Sequence, residues 1–338
     1  MLKLRIGFTL LAFCLGAVLL NGQSTPSVAL LVLSKGDHTA SIVDPSTLKV
    51  VARMPSGPDP HEIIAAADGK LAYISNYGGP AGAYNTISVV DLVAQKALPA
   101  IDLGPLRGAH GLTFAGDKLW FTAETNKLIG SYDPQTRKVD WVLGTGQNGT
   151  HMIWVSPDLK RIVTSNVRSA TISIIDKITR TGPNGSHQED WDETVVAVGR
   201  GAEGFDVSPD AREIWCANAQ DGTVSVIDAA EKKVVATVNA NVRGANRLKF
   251  TPDGSLALVS TLGGPDLVIL DAKTRSEVKR VKIGRGAAGI QIQPDGARAF
   301  VACTPDSYVA VIDLKSLEVT GHIDAGAQPD GLAWVVRR

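Results

Sequence analysis

The chain is poor in cysteine, with three residues in 338. Cys14 lies in an apolar amino-terminal run, and Cys216 and Cys303 form neither a C-x-x-C nor a C-x-x-C-H pattern. Covalent c-type haem, dithiol redox chemistry and ordinary zinc-finger chemistry therefore lack their residues. The P-loop, the G-x-S-x-G elbow and H-E-x-x-H are absent as well. Charge of one sign is also missing: 34 basic residues balance 34 acidic ones. That balance gives no electrostatic footprint for nucleic acid, and no nucleic-acid partner is expected. Three matches to the dinucleotide fingerprint, at residues 144–149, 199–204 and 284–289, open no helix. The helix terminus that would hold a pyrophosphate is missing, so no nucleotide cofactor is expected.

Long apolar runs are confined to residues 6–20, which follow Lys3 and Arg5 and precede the polar stretch 21–24. This order is that of a secretory signal peptide covering residues 1–22, with cleavage after Gly22. The run is shorter than the ~20 residues of a spanning helix, and Phe13 stands where a lipid-modified cysteine at Cys14 would want a small residue. Residues 23–338 are expected to form one periplasmic or secreted domain without a membrane span. It would carry 32 basic against 34 acidic residues.

What the chain does contain is a repeat. Short β-branched strands end on Asp44, Asp91, Asp133, Asp176, Asp228, Asp271 and Asp313, at spacings of 47, 42, 43, 52, 43 and 42 residues. That period is typical of four-stranded propeller blades, and no helical period competes with it. The expected fold is all-β: a seven-bladed β-propeller of four-stranded antiparallel blades. The carboxy-terminal strand, residues 331–336, would close the ring against residues 28–33 of the first blade. A monomer is expected. Two insertions stand out, residues 76–85 in the second blade and 177–194 in the fourth, and they fall on opposite faces of the ring. The first is a candidate pocket rim; the second, with Trp191 among acids, is a candidate contact site. Cys216 and Cys303 point to opposite faces of blades two apart and should stay unpaired.

The strands TISIID (171–176), TVSVID (223–228) and VAVID (309–313), the turns SPDA (208–211), TPDG (251–254) and QPDG (293–296), and PHEI (60–63) carry a resemblance. The chain resembles the YVTN-type β-propeller repeat proteins of bacterial periplasms and archaeal surfaces. The resemblance spans nearly all of residues 23–338 and implies the propeller fold. For function it implies only a range, because similar repeats occur in scaffolds, in binding proteins and in the propeller parts of metal or haem enzymes.

Stacking the blades brings out a candidate site. The residue opening each inner strand is, in ring order, His61, His110, His151, Glu203, Asn246, Ala288 and Asp330. All should reach one mouth of the central channel. Arg107, Arg200, Arg243 and Arg285 recur three residues earlier in four of the blades, each in an RGA triplet. Asn76, Glu124, Asn166 and Asn218, at the ends of the second strands, are candidates for an outer shell. Two readings stay open. In one, the histidines belong to the repeat, as the PH of similar repeats implies, and serve loop backbone groups. In the other, His61, His110, His151 and Glu203 hold a divalent transition metal, or His110, His151 and Glu203 act as acids and bases, with the arginines and neighbouring polar residues holding a small, possibly anionic ligand. The corresponding functions are a metal- or His-assisted hydrolase, lyase or oxidoreductase, and a non-catalytic propeller that binds a protein partner in the cell envelope.

Overall fold

The computed structural model describes residues 24–79 and 81–338. The signal-peptide expectation therefore lies outside the described residues. Seven four-stranded antiparallel sheets are arranged as blades around a channel. Six blades are contiguous in sequence. The remaining sheet combines Val28–Ser34, Thr39–Asp44 and Lys49–Pro55 with the last strand, Pro329–Val336. That strand pairs with Val28–Ser34 from Val28 opposite Val336 to Ser34 opposite Pro329, so the ring closes as expected.

Burial follows strand position. Middle strands such as Glu213–Asn218 and Thr223–Asp228 lie between neighbouring blades and are buried on both faces, whereas the outer strand Lys233–Val238 alternates between exposed and half-buried. This is why the middle strands read as continuous apolar runs. The core lies between blades. In one cluster Trp215 and Val226 of the fifth blade pack on Leu248, Phe250 and Leu270 of the sixth. Cys216 and Cys303 are buried free thiols in these layers.

The repeated Asp has a local cause. Asp44, Asp91, Asp133, Asp228, Asp271 and Asp313 each accept hydrogen bonds from backbone N–H groups two or three residues on, at 2.6–3.3 Å, and so shape the outer hairpin. Asp176 departs from this pattern because its hairpin continues. Thr171–Thr181 and His187–Ala197 run on together as an extended ribbon, and Asp176 instead pairs with Arg161 at 2.6 Å and Lys232 at 2.7 Å. The insertion in the second blade forms a small hairpin, Gly78–Gly79 against Gly82–Ala83, beside the channel mouth.

Seven inner strands, Pro60–Ala65, Ala109–Ala115, Thr150–Val155, Ala202–Val207, Ala245–Phe250, Ala287–Ile292 and Pro329–Val336, line the channel, each against the next. Removal of residues 328–338 opens this ring and leaves two unpaired edges. Urea unfolding of the truncated protein is expected to lose its single sharp transition; a transition as steep and as late as that of the parent would contradict ring closure as the source of cooperativity.

Candidate functional site at the channel mouth

The mouth is built by an irregularity repeated in every blade. In each inner strand the pairing with the second strand shifts register at the residue opening the mouth: between Pro60 and Ile63, Ala109 and Leu112, Thr150 and Ile153, Ala202 and Phe205, Ala245 and Leu248, and Ala287 and Ile290. Such a bulge re-aims side chains, here inward at the axis. A hydroxyl on the second strand holds it. Thr122 Oγ1 accepts from the Gly111 N–H and donates to the His151 carbonyl of the next blade, both at 2.9 Å. Ser165 links the Met152 N–H to the Glu203 carbonyl in the same way, and Ser260 links the Arg247 N–H to the Ala288 carbonyl.

Beneath the mouth residues the inner strands nearly touch. A Cβ at Gly204 would lie 2.3 Å from the Asn246 carbonyl oxygen, and one at Gly289 would lie 2.2 Å from that of Asp330. Glycine therefore fills this level at residues 111, 204, 289 and 331. The other blades place Glu62, Met152 and Arg247 there. Arg247, buried in the sixth blade, reaches across the channel and donates to Glu62 of the second. The pair spans the channel beneath the mouth.

The sequence-predicted ring does come together. His61 and His110 rings lie 5.1 Å apart edge to face, and His110 and His151 stack at 3.6 Å. His151 Nδ1 meets Glu124 Oε2 at 3.1 Å. On its other side Nε2 stands 3.0 Å from Glu203 Oε1, near enough for an ion pair but outside hydrogen-bond alignment. Asn246 Nδ2 donates to Glu203 at 3.4 Å. Asp330 closes the circle through Lys35 at 3.2 Å and His61 Nδ1 at 3.9 Å. Ala288 leaves one gap.

Stacking changes the expected chemistry. Among the described residues no group of three or more His, Cys, Asp or Glu side chains is placed to hold a metal ion. The ligand set His61, His110, His151 and Glu203 does not share a point, because stacked imidazoles face each other and His151 has a carboxylate at each nitrogen. Burial opposes charge on His151, but Glu203 and Glu124 outweigh it and hold the group up at about 9. His110 is pushed the opposite way, well below its ordinary value, by burial and then by the charge of His151. Its Nδ1 is buried with no hydrogen-bond partner. Burial raises Glu124 and Glu203, yet their His151 contacts reverse this and leave both lowered.

The outer residues serve the fold instead. Asn76, Asn166 and Asn218 are buried and donate to a Thr and a Ser on the third strand of their own blades, at 2.9–3.1 Å. Arg200 and Arg285 are exposed rim residues clasped by Asp221 and Asp306, each through both backbone N–H and Nε. Arg107 donates to the Ala83 carbonyl at 3.2 Å, and Arg243 is exposed. Of the expected anion-holding arginines, Arg200 and Arg285 are thus committed to carboxylates at the rim.

Four residues missed in the sequence complete the site. Tyr77 leads into the small hairpin, lies 4.9 Å from the His61 ring and 5.0 Å from that of His110, and donates to Glu124 Oε2 at 2.8 Å. Lys35 Nζ stands 2.8 Å from His61 Nε2. Glu62 and Arg247 form the pair across the channel. These last two carry a signal: charged residues on an inner strand where other blades have glycine. Above the rings lies a cavity of about 520 Å³ lined by Asp59, His61, Tyr77, Glu124 and Arg168 with the hairpin glycines.

The two buried histidines give stability opposite pH dependences. His151 binds its proton more tightly folded than unfolded, so its contribution is complete below about pH 6.5 and is lost as pH rises through about 9. His110 is neutral when folded and protonated when unfolded below about pH 6.5, so stability also falls on the acid side. Stability should peak near pH 6.5. His151→Gln is expected to flatten the alkaline limb, on the order of 3 kcal/mol, and His110→Phe the limb between pH 6.5 and 5, read from urea midpoints across pH. Parallel profiles for parent and variants would refute this account.

Residues 129–297, half of the chain, match the family model described as the cytochrome D1 heme domain. No curated protein sequence gives a significant match. Among solved structures, a functionally unknown protein from Desulfotomaculum acetoxidans is 14% identical with a TM-score of 0.72, covering 92% of this chain and 99% of that one. The dihydro-heme d1 dehydrogenase NirN is 17% identical with a TM-score of 0.65, over 92% and 76%. The Kuenenia stuttgartiensis hydrazine synthase is 20% identical with a TM-score of 0.70, over 84% and 92%. At these identities the likeness is one of fold. The propeller that the YVTN-type resemblance implied is present, and by its sequence match the chain belongs to the cytochrome D1 heme domain family.

Proposed function

We propose that the protein is an exported propeller whose channel mouth binds a small neutral or cationic molecule over an acid–base relay. The observation that carries this reading is the pair of stacked histidines beneath the cavity. Leaving a buried nitrogen such as His110 Nδ1 without a partner costs about 1–3 kcal/mol, and an apolar ring would fill the place without that cost. Shifted titratable groups in and beside a recess, here Tyr77 and Glu124 in its lining with the buried histidines behind them, are the usual mark of a functional site.

Charge argues against an anion. Lys35, Arg168 and Arg247 pair with Asp330, Glu124 and Glu62. Asp59 accepts from the Gly78 N–H at 3.1 Å and stands 3.2 Å from His61. With His151 charged, the five carboxylates Asp59, Glu62, Glu124, Glu203 and Asp330 face four cations. The relay runs from the Tyr77 hydroxyl through Glu124 to His151, with Glu203 beside the far imidazole nitrogen as its counter-charge. It can pass a proton between cavity and axis while His110 stays neutral. Such a relay suits hydrolytic, lyase or redox proton transfer.

The haem that gives the family its name does not fit this arrangement. An iron macrocycle needs a flat apolar slot with an open nitrogen facing it. Here the cavity is lined by polar groups and glycines, His61 Nε2 is taken by Lys35 and Asp59, and His110 lies under the rings of His61 and Tyr77. Among the described residues a divalent metal finds no convergent ligands either.

A thermal-shift screen of small metabolites matched in size and sorted by charge tests the reading, with haem and Zn²⁺ as added probes. Neutral or cationic compounds should stabilise the protein, and Glu203→Gln and Tyr77→Phe should abolish the shift. His110→Phe should match or exceed the parent's stability, by up to about 2 kcal/mol, while losing the ligand response. Stabilisation only by anions, haem or Zn²⁺, or destabilisation of several kcal/mol by His110→Phe, would overturn the proposal.

A further inference from the structure

On the face opposite the mouth, the extended ribbon of the fourth blade builds a second recess. Trp191 lies directly across from Lys177 in the ribbon, so both project from one face, with Glu189 two residues from Trp191 on that same face. That face turns to the third blade. There the Trp191 ring lies 5.5 Å from that of Trp141, tilted by 54°, and Trp141 in turn lies 5.5 Å from Trp120 at 66°. The three indoles form a continuous wall to a cavity of about 520 Å³, within the usual range for small-molecule sites.

If the ribbon only anchored itself on the third blade, its indoles would be sealed and their N–H groups satisfied. Trp120 fits that role, being buried with its Nε1 donating to the Ala115 carbonyl at 3.0 Å. Trp141 and Trp191 do not. Both are half-buried, and among the described residues neither Nε1 has a hydrogen-bond partner. Two aromatic surfaces and two free donors therefore border the cavity.

The charges around it are matched in pairs. Lys118 pairs with Asp140, which also accepts from Ser131 at 2.6 Å. Lys177 pairs with Glu189 and Arg180 with Asp190, both at 2.5 Å. An anionic ligand would have to draw an ammonium from its carboxylate, and a cationic one the reverse. A neutral molecule with many hydroxyls meets no such conflict. Its hydroxyls can donate to Asp140 and Glu189 and accept from Lys118, Lys177 and the two indole N–H groups, while an apolar C–H face lies on the indoles. We infer that the recess between the third and fourth blades, walled by Trp120, Trp141 and Trp191, is a binding site for a neutral saccharide. It is independent of the mouth.

Titration of the protein with cellotetraose, chitotetraose and maltotetraose, followed by tryptophan fluorescence and calorimetry, tests the inference. Tetragalacturonate and tetralysine serve as charged comparisons. At least one neutral saccharide should bind saturably and more tightly than either charged probe. Trp191→Ala should weaken binding about tenfold or more, and Lys177→Met should weaken it too, whereas His110→Phe should leave it unchanged. Trp191→Phe, which keeps an aromatic surface and the ribbon's packing, should retain part of the affinity and guards against misreading a folding defect. Absence of saturable binding by all three neutral saccharides, tighter binding of a charged probe, or binding indifferent to both Trp191→Ala and Lys177→Met would overturn the assignment.

Discussion

The close approach of the seven inner strands is the constraint on which the rest depends. At the level of Gly111, Gly204, Gly289 and Gly331 adjacent backbones leave no room for a Cβ, and the hydroxyls of Thr122, Ser165 and Ser260 tie three of the bulged strands to their neighbours. Because every blade bulges at the same place, every blade delivers one side chain to the same mouth. The site is thus a property of the ring, assembled from residues 41 to 52 apart in sequence, and rigid because strands rather than loops carry it.

That rigidity lets the mouth hold two histidines in opposite protonation states at contact distance. Charge on His151 is sustained by Glu124 and Glu203, and this same charge helps keep His110 neutral. Either imidazole alone in a buried ring would lose its charge to desolvation. The carboxylates decide which of the two is protonated. Below them the ion pair of Arg247 and Glu62 spans the channel from blades three apart.

The two elaborations of the repeat have separate consequences. The short insertion of the second blade brings Tyr77 over the histidines. The long ribbon of the fourth blade frees Asp176 from its turn role and carries Trp191 to the third blade. Both insertions were visible as departures from the repeat period, on opposite faces. What each covers depends on a neighbouring blade, which spacing does not reveal.

By itself the sequence determined the ring: seven Asp-ended strands at one period, continuous apolar middle strands and a lone final strand that needs a partner. It also determined which residues open the mouth, since His61, His110, His151, Glu203, Asn246 and Asp330 share one repeat position. Only the tertiary structure decided what those residues do. A repeat position fixes where a side chain starts, not its rotamer or its partner. So three histidines with the look of a metal triad became a stacked pair with the third ring edge-on, and one ring of the pair clamped by carboxylates. Asn76, Asn166 and Asn218 turned into their own blades, where Thr and Ser hydroxyls accept their amides, and Arg200 and Arg285 were taken by Asp221 and Asp306. Arg247, which no motif marks, came to span the channel because the blade nearly opposite presents Glu62 at the same height.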